Sequence, residues 1–144
     1  MLLNRATDIG LRVLMLAAAT NGRHTIDDLA ESLVVPRHHL AKVVQTLQHL
    51  NLLDTVRGRH GGVSLAEGAV NVSVGGVVRT LEADEEVVDC DEPAACPLRH
   101  ACRLRRALWQ AQEAFYASLD EVTIGDLTRK PSGEVLLSLG RSSS

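Results

Sequence analysis

Residues 24–50 read HTIDDLAESLVVPRHHLAKVVQTLQHL, and the fold turns on how this stretch divides. Thr25 is a good N-cap with Asp28 three residues on, the capping-box spacing in which each side chain satisfies a backbone N–H near the other. That predicts a short helix ending at Leu33. Pro36 then stands where a helix start accepts proline, because its missing N–H would have no intrahelical partner. Behind it Leu40, Val43, Val44 and Leu47 recur at helical spacing, the apolar stripe of a second helix. Two helices joined by a turn through Val34 and Val35 predict a helix-turn-helix, whose second helix is available for a nucleic-acid groove.

Downstream the period changes. LLDTVRGRHGGVSLA, residues 52–66, gives a strand over 54–57, a Gly-rich turn and a return strand over 63–65, a β-hairpin. A helix-turn-helix followed at once by such a hairpin is a winged helix. Ser73 then caps a helix through Val77, Val78 and Leu81, although Gly75 and Gly76 each weaken it by about 1 kcal/mol relative to Ala. Upstream, residues 4–20 predict a first helix with Ile9, Val13, Leu16 and Ala17 on one face, stopped by Asn21-Gly22. This start mimics a signal peptide, but Asp8 and Arg12 interrupt its apolar run at helical spacing, so it predicts a folded helix of a cytoplasmic protein. No window holds the roughly 18 uncharged apolar residues of a membrane span, and no membrane partner is expected.

The 144 residues, 45% hydrophobic with one each of Phe, Trp and Tyr, predict one compact, mainly α unit with a core of Leu, Val and Ala. The expected organisation is a winged-helix domain over 1–81, a cysteine-bearing loop over 82–102, a long helix and last turn over 103–130, and a flexible tail over 131–144. The long helix carries Leu104, Leu108, Ala111, Phe115 and Leu119 at intervals of three or four, a stripe that predicts a dimerisation seam. Thr123 caps the last turn. From Pro131 the periodicity is lost, which predicts fraying.

The net charge of −3 is unevenly spread. Residues 1–65 hold seven Lys/Arg against five Asp/Glu, with five of the six histidines; residues 66–144 hold eight against thirteen. Seven acids crowd between Glu82 and Glu92, which predicts a solvated loop rather than a nucleic-acid surface. The first half can face an anion. In a winged helix, Arg37, His38 and His39 stand at the start of the groove helix, Lys42 and Gln45 lie deeper, and Arg57 and Arg59 sit on the wing. Gly58, Gly61 and Gly62 would let the wing backbone approach phosphates. The bland alternative is a protein-interaction domain whose charges form a solvated face.

All three cysteines fall within CDEPAACPLRHAC, residues 90–102, five residues apart. An odd count in a cytoplasmic chain argues against disulfides. Zinc stays open, since three Cys with His100 or an Asp would complete a tetrahedron, but structural zinc sites usually pair cysteines as C-x2-4-C. Wider gaps suit an iron-sulfur cluster, whose thiolates come from separate directions. Three thiolates leave a cuboidal cluster one ligand short, a vacancy suited to sensing a small diatomic. Arg99, Arg103, Arg105 and Arg106 would offset its negative charge.

TDIGLRVL in the first helix, VRGRHGGVSL in the wing, CPLRHACRLRRAL and LDEVTIGDL together resemble the NsrR branch of the iron-sulfur winged-helix repressors, the family that also contains IscR. The resemblance runs to about Leu127. It implies a homodimeric repressor of nitric-oxide-detoxification genes that binds palindromic double-stranded DNA and is released when nitric oxide attacks its cluster. Cys90, Cys96 and Cys102 match the three cluster cysteines. Asp8 matches a position that in some members supplies an oxygen ligand from the opposite subunit, and Arg12, one turn on, would orient it. A 4Fe-4S cluster is favoured, with 2Fe-2S the alternative. The IscR branch has a ligand histidine three residues after its third cysteine, where this chain has Arg105. His60 on the wing departs from the small or amide residue more usual there and joins the DNA-contact candidates.

An enzyme or electron carrier is the rival class, but no phosphate-binding Gly-rich loop, Ser/His/Asp set or HExxH appears. The remaining alternative is a regulator of the same fold that responds to cluster biogenesis, metal or redox state, IscR-like or zinc-bound.

Overall fold

The computed structural model describes residues 3–83 and 85–142; Asp84 of the acidic run and Ser143 and Ser144 of the expected tail lie outside them. Helix α1 (Arg5–Thr20) is the spine. Asn4 caps it, its side-chain oxygen accepting from the Thr7 N–H at 2.8 Å and the Thr7 hydroxyl at 3.0 Å. The predicted face is the buried one: Ile9, Val13, Leu16 and Ala17 enter the core with Leu14. Helices α2 (Ile26–Leu33) and α3 (Arg37–His49) complete the helix-turn-helix. The capping box forms as the spacing requires, Asp28 N to Thr25 Oγ1 at 3.0 Å and Thr25 N to Asp28 Oδ2 at 3.1 Å. Pro36 stands one residue earlier than expected, as the N-cap of α3, because its carbonyl accepts the first helical bond from Leu40.

The wing is an antiparallel hairpin of β1 (Leu53–Val56) and β2 (Gly62–Leu65), in register Leu53↔Leu65 to Val56↔Gly62. Its strands begin one residue earlier than the sequence suggested, because Leu53 is drawn into the core and Arg57 is left to the tip. His24 adds a two-bond bridge to Val63, N–H to carbonyl in both directions at 2.9 and 2.8 Å. A side chain on Gly62 would meet the His24 carbonyl oxygen at 2.8 Å, so this glycine serves the wing's attachment. His24 is buried, its Nε2 is 2.6 Å from Thr20 Oγ1, and burial pushes its imidazole below the ordinary value.

Helix α4 (Val74–Glu82) is capped by Ser73, and α5 (Arg103–Asp120) returns along it. Between them runs the cysteine segment. A second capping box, Thr123 with Asp126, closes the 3-10 turn Gly125–Thr128. The segment expected to fray instead forms α6 (Ser132–Ser142), which packs on α1 with Leu136 buried. Serines and two glycines hide this helix from propensity. Gly133 and Gly140 let it close on Thr128 and Thr20, so tertiary contact supplies what local preference does not. Among the described residues no helix is long and apolar enough to cross a membrane.

Candidate metal centre and nucleic-acid interface

Helix α3 turns Leu40, Val43, Val44 and Leu47 into the core, so Arg37, His38, His39, Lys42 and Gln45 all face solvent. Arg57, Arg59 and His60 are exposed at the hairpin tip, which Arg23 fastens by donating to the His60 carbonyl at 3.1 Å. Of the wing glycines, only Gly58 has open space beside it; Gly61 and Gly62 crowd the wing's own backbone and His24, which revises the idea that all three serve phosphate approach. One partner was invisible to sequence reasoning. Asp27 is not needed by the α2 cap, and its carboxylate accepts from Arg37 Nε at 2.6 Å. An exposed pair of this kind is worth at most about 1 kcal/mol, so it aims the guanidinium without locking it.

Cys90, Cys96 and Cys102 are free, half-buried thiols. Backbone bonds fold their segment, Cys96 N–H to the Cys90 carbonyl at 2.8 Å and Arg99 N–H to the Cys96 carbonyl at 3.2 Å. Cys102 is the N-cap of α5, its sulfur accepting the Arg105 N–H at 3.3 Å. The Arg105 guanidinium grips Glu86 with two bonds of 2.8 Å. That grip holds the Glu86 carboxyl below its usual range and raises Arg105, to which the charge of Cys90 adds. This ion pair divides two clefts. One, about 280 Å³, contains Cys102 with His100, Arg106 and Trp109; the other, about 570 Å³, contains Cys90 along the acidic run. Soft thiolates among arginines suit zinc or an iron-sulfur cluster. Within one chain they do not converge: among the described residues no three Cys, His, Asp or Glu side chains group closely enough for a metal ion.

Asp8 and Arg12 pair on α1, Nε to Oδ1 at 3.0 Å and Nη2 to Oδ2 at 2.8 Å, an i,i+4 contact on the surface of the helix. Glu82, buried at the end of α4, accepts the Asn4 N–H at 2.8 Å and ties the start of α1 to the start of the cysteine segment. The face of α5 packed on its own chain is not the predicted stripe. Gln112 and Tyr116 are its buried residues, with Gln112 donating to the Glu85 carbonyl at 2.6 Å and to Tyr116 Oη at 3.1 Å. Arg79 of α4 binds Glu113 at 2.8 Å and Asp120 at 3.3 Å, and lies 4.8 Å over the Tyr116 ring. Leu104, Trp109 and Phe115 are left exposed.

An exposed basic helix beside a basic wing, on a scaffold that also carries three free thiols, defines a winged-helix transcription regulator. The sequence matches the Rrf2 family, iron-dependent transcriptional regulators, over residues 3–130, and the chain belongs to that family. It is 50% identical over 142 residues, 96% of both chains, to the HTH-type transcriptional repressor NsrR of Streptomyces coelicolor. It is 38% identical over 131 residues, 88% of this chain and 89% of the other, to the HTH-type transcriptional regulator NsrR of Geobacillus kaustophilus. The oxidized form of CymR from Staphylococcus aureus shares the fold, with TM-score 0.69 at 23% identity over 88% of this chain and 95% of that one. The two sequence relatives and the family are all described as transcriptional regulators.

Proposed function

We propose that the protein is a homodimeric, nitric-oxide-sensing repressor that binds a palindromic operator through α3 and the wing. Cys90, Cys96 and Cys102 are its iron-sulfur ligands, for a 4Fe-4S cluster in preference to 2Fe-2S, and Asp8 of the opposite subunit supplies an oxygen ligand oriented by Arg12. Such a cluster, bound by three thiolates and one weaker donor, supplies an iron with which nitric oxide reacts. The rest is done by the chain's own residues. Arg37, His38, His39, Lys42 and Gln45 enter the major groove, and Arg57, Arg59 and His60 meet the backbone. The apolar stripe of α5, with Leu104 and Phe115 exposed, forms the subunit seam. The observation that carries this reading is the double role of Cys102, one of three free thiols and also the N-cap of the seam helix. A change at that sulfur acts on the first turn of α5. Because Arg79 ties α5 to α4, it also alters the spacing of the two α3 helices, which an operator with half-sites about one helical turn apart cannot tolerate.

A second reading, a zinc-bound regulator of the same fold, draws on His100 and Cys102 lining one cleft. Anaerobic purification followed by iron, acid-labile sulfide and zinc analysis separates the two. Iron and sulfide, with a visible band bleached by nitric oxide, are expected; stoichiometric zinc without sulfide would establish the second reading instead. Asp8→Ala is expected to retain a cluster but to change its lifetime in air and its rate of reaction with nitric oxide. Wild-type kinetics in that variant would reduce Asp8 to an acid paired with Arg12.

A further inference from the structure

The first turn of α1 lies against α3, and between them is a cleft of about 220 Å³. Its floor is apolar, from Ala6, Ile9 and Val43; its rim is Arg5, His39 and Lys42, with no carboxylate among the lining residues. Elsewhere in this net-acidic chain, seven of the cations are paired with an acid. Arg12, Arg37, Arg79, Arg99, Arg105, Arg129 and Lys130 each hold an Asp or Glu within 3.3 Å. Among the described residues Arg5 and Lys42 have no such partner, a condition they share with Arg23, Arg57 and Arg59 at the wing and with Arg103 and Arg106 on α5, but only Arg5 and Lys42 face each other across a cleft. Neighbouring acids are engaged elsewhere: Asp8 by Arg12, and Glu82 by the Asn4 N–H immediately before Arg5. That bond and the Asn4 Nδ2 bond to the Leu81 carbonyl at 3.3 Å fix the backbone from which Arg5 projects.

The geometry points to α1 as a third element of the DNA interface, with Arg5 and Lys42 taking one backbone phosphate between them at the edge of the groove that α3 enters. This rests on the DNA-binding reading above and adds to it a residue that the helix-turn-helix pattern does not contain. An unpaired guanidinium on a fixed backbone, across a cleft from an unpaired ammonium, offers a phosphate two charge-assisted hydrogen bonds with little side-chain ordering. The pair reads no base, so it positions α3 without contributing to sequence preference. It also puts Arg5 one turn before Asp8 on the same helix, so the turn that meets DNA is continuous with the turn assigned to the cluster.

The test uses the full-length protein, purified anaerobically, and a fluorescein-labelled mixed-sequence duplex of about three helical turns, with affinity followed as salt is raised. Removing one cation from a phosphate flattens the log–log salt slope by about 0.9, so Arg5→Ala in a dimer is expected to flatten it by about 1.8, and Arg5→Lys to restore it. Far-UV circular dichroism checks that both variants fold, and Lys42→Ala is the companion from the other side of the cleft. Arg5→Ala with the wild-type slope, while Lys42→Ala flattens it, overturns the assignment and leaves the DNA-binding reading intact. Wild-type protein that binds no duplex at any salt overturns both.

Discussion

Cys96→Ala is expected to give a folded protein that carries no iron and no longer distinguishes an operator from random duplex. Its loss should be among the largest any single side chain can cause, because operator binding would fall to the non-specific level, on the order of a thousandfold or more. Cys96 is the cleanest of the three thiols to remove. Its hydrogen bonds to the Cys90 carbonyl and from the Arg99 N–H are made by its backbone, and an alanine keeps both. It lies outside the buried core, so no large cavity is opened. Cys102→Ala would be ambiguous by comparison, since the Cys102 sulfur caps α5 and removing a cap costs about 1 kcal/mol. The measurement is iron and sulfide per subunit, together with mobility shifts on a duplex that the wild-type protein selects from a random pool. Full iron content and unchanged selectivity in Cys96→Ala would remove the thiols from the sensing chemistry altogether.

What the sequence revealed and what it hid follow one physical division. The helix-turn-helix was legible because its signals are local: Thr25 and Asp28 close their box over three residues, and the stripe of α3 needs only its own period. The wing was legible for the same reason, from its glycines. Pairings between distant segments were not. Nothing near Arg37 announces that its partner is Asp27, and nothing near Asn4 announces Glu82. The apolar stripe of α5 is a real pattern, yet the face packed in its own chain is the polar one of Gln112 and Tyr116, satisfied by hydrogen bonds that a hydrophobicity pattern cannot register. Helix α6 was hidden by the glycines that allow it to dock. Val34, which adopts a left-handed φ of +55° while fully exposed, occupies a turn position where a glycine would have marked the boundary. The three thiols stand out by their spacing, but the arrangement that would gather them does not: among the described residues no three Cys, His, Asp or Glu side chains group closely enough for a metal ion.

The two glycines of α4 look alike in sequence and should behave in opposite ways. Each lowers helix propensity by about 1 kcal/mol relative to alanine, so alanine at either site gains that amount if nothing is displaced. At Gly76 the nearest atom to an added Cβ is the Ser73 hydroxyl at 3.1 Å, which caps α4 by accepting the Gly76 N–H at 2.9 Å and need give only by a few tenths of an ångström, so Gly76→Ala is expected to be neutral or mildly stabilising. At Gly75 the new methyl would stand 2.7 Å from the Asp120 backbone nitrogen and 2.8 Å from the Tyr116 carbonyl oxygen. That is backbone of α5, which cannot rotate away, so the helices must separate. Overpacking of this kind costs roughly 1–3 kcal/mol for small insertions, more than the propensity gain, and Gly75→Leu should exceed that range. Urea unfolding midpoints of the three variants measure the difference, and a Gly75→Ala midpoint equal to wild type would show that α5 is not held this closely. The consequence extends beyond stability. Gly75 sits where α4, the last helix of the winged domain, meets the helix that Cys102 caps, and Arg79 reaches Glu113 and Asp120 across the same junction. Wedging it open should therefore weaken operator binding even in protein that remains folded and iron-loaded, because the tilt of α5 would no longer fix the spacing of the two α3 helices.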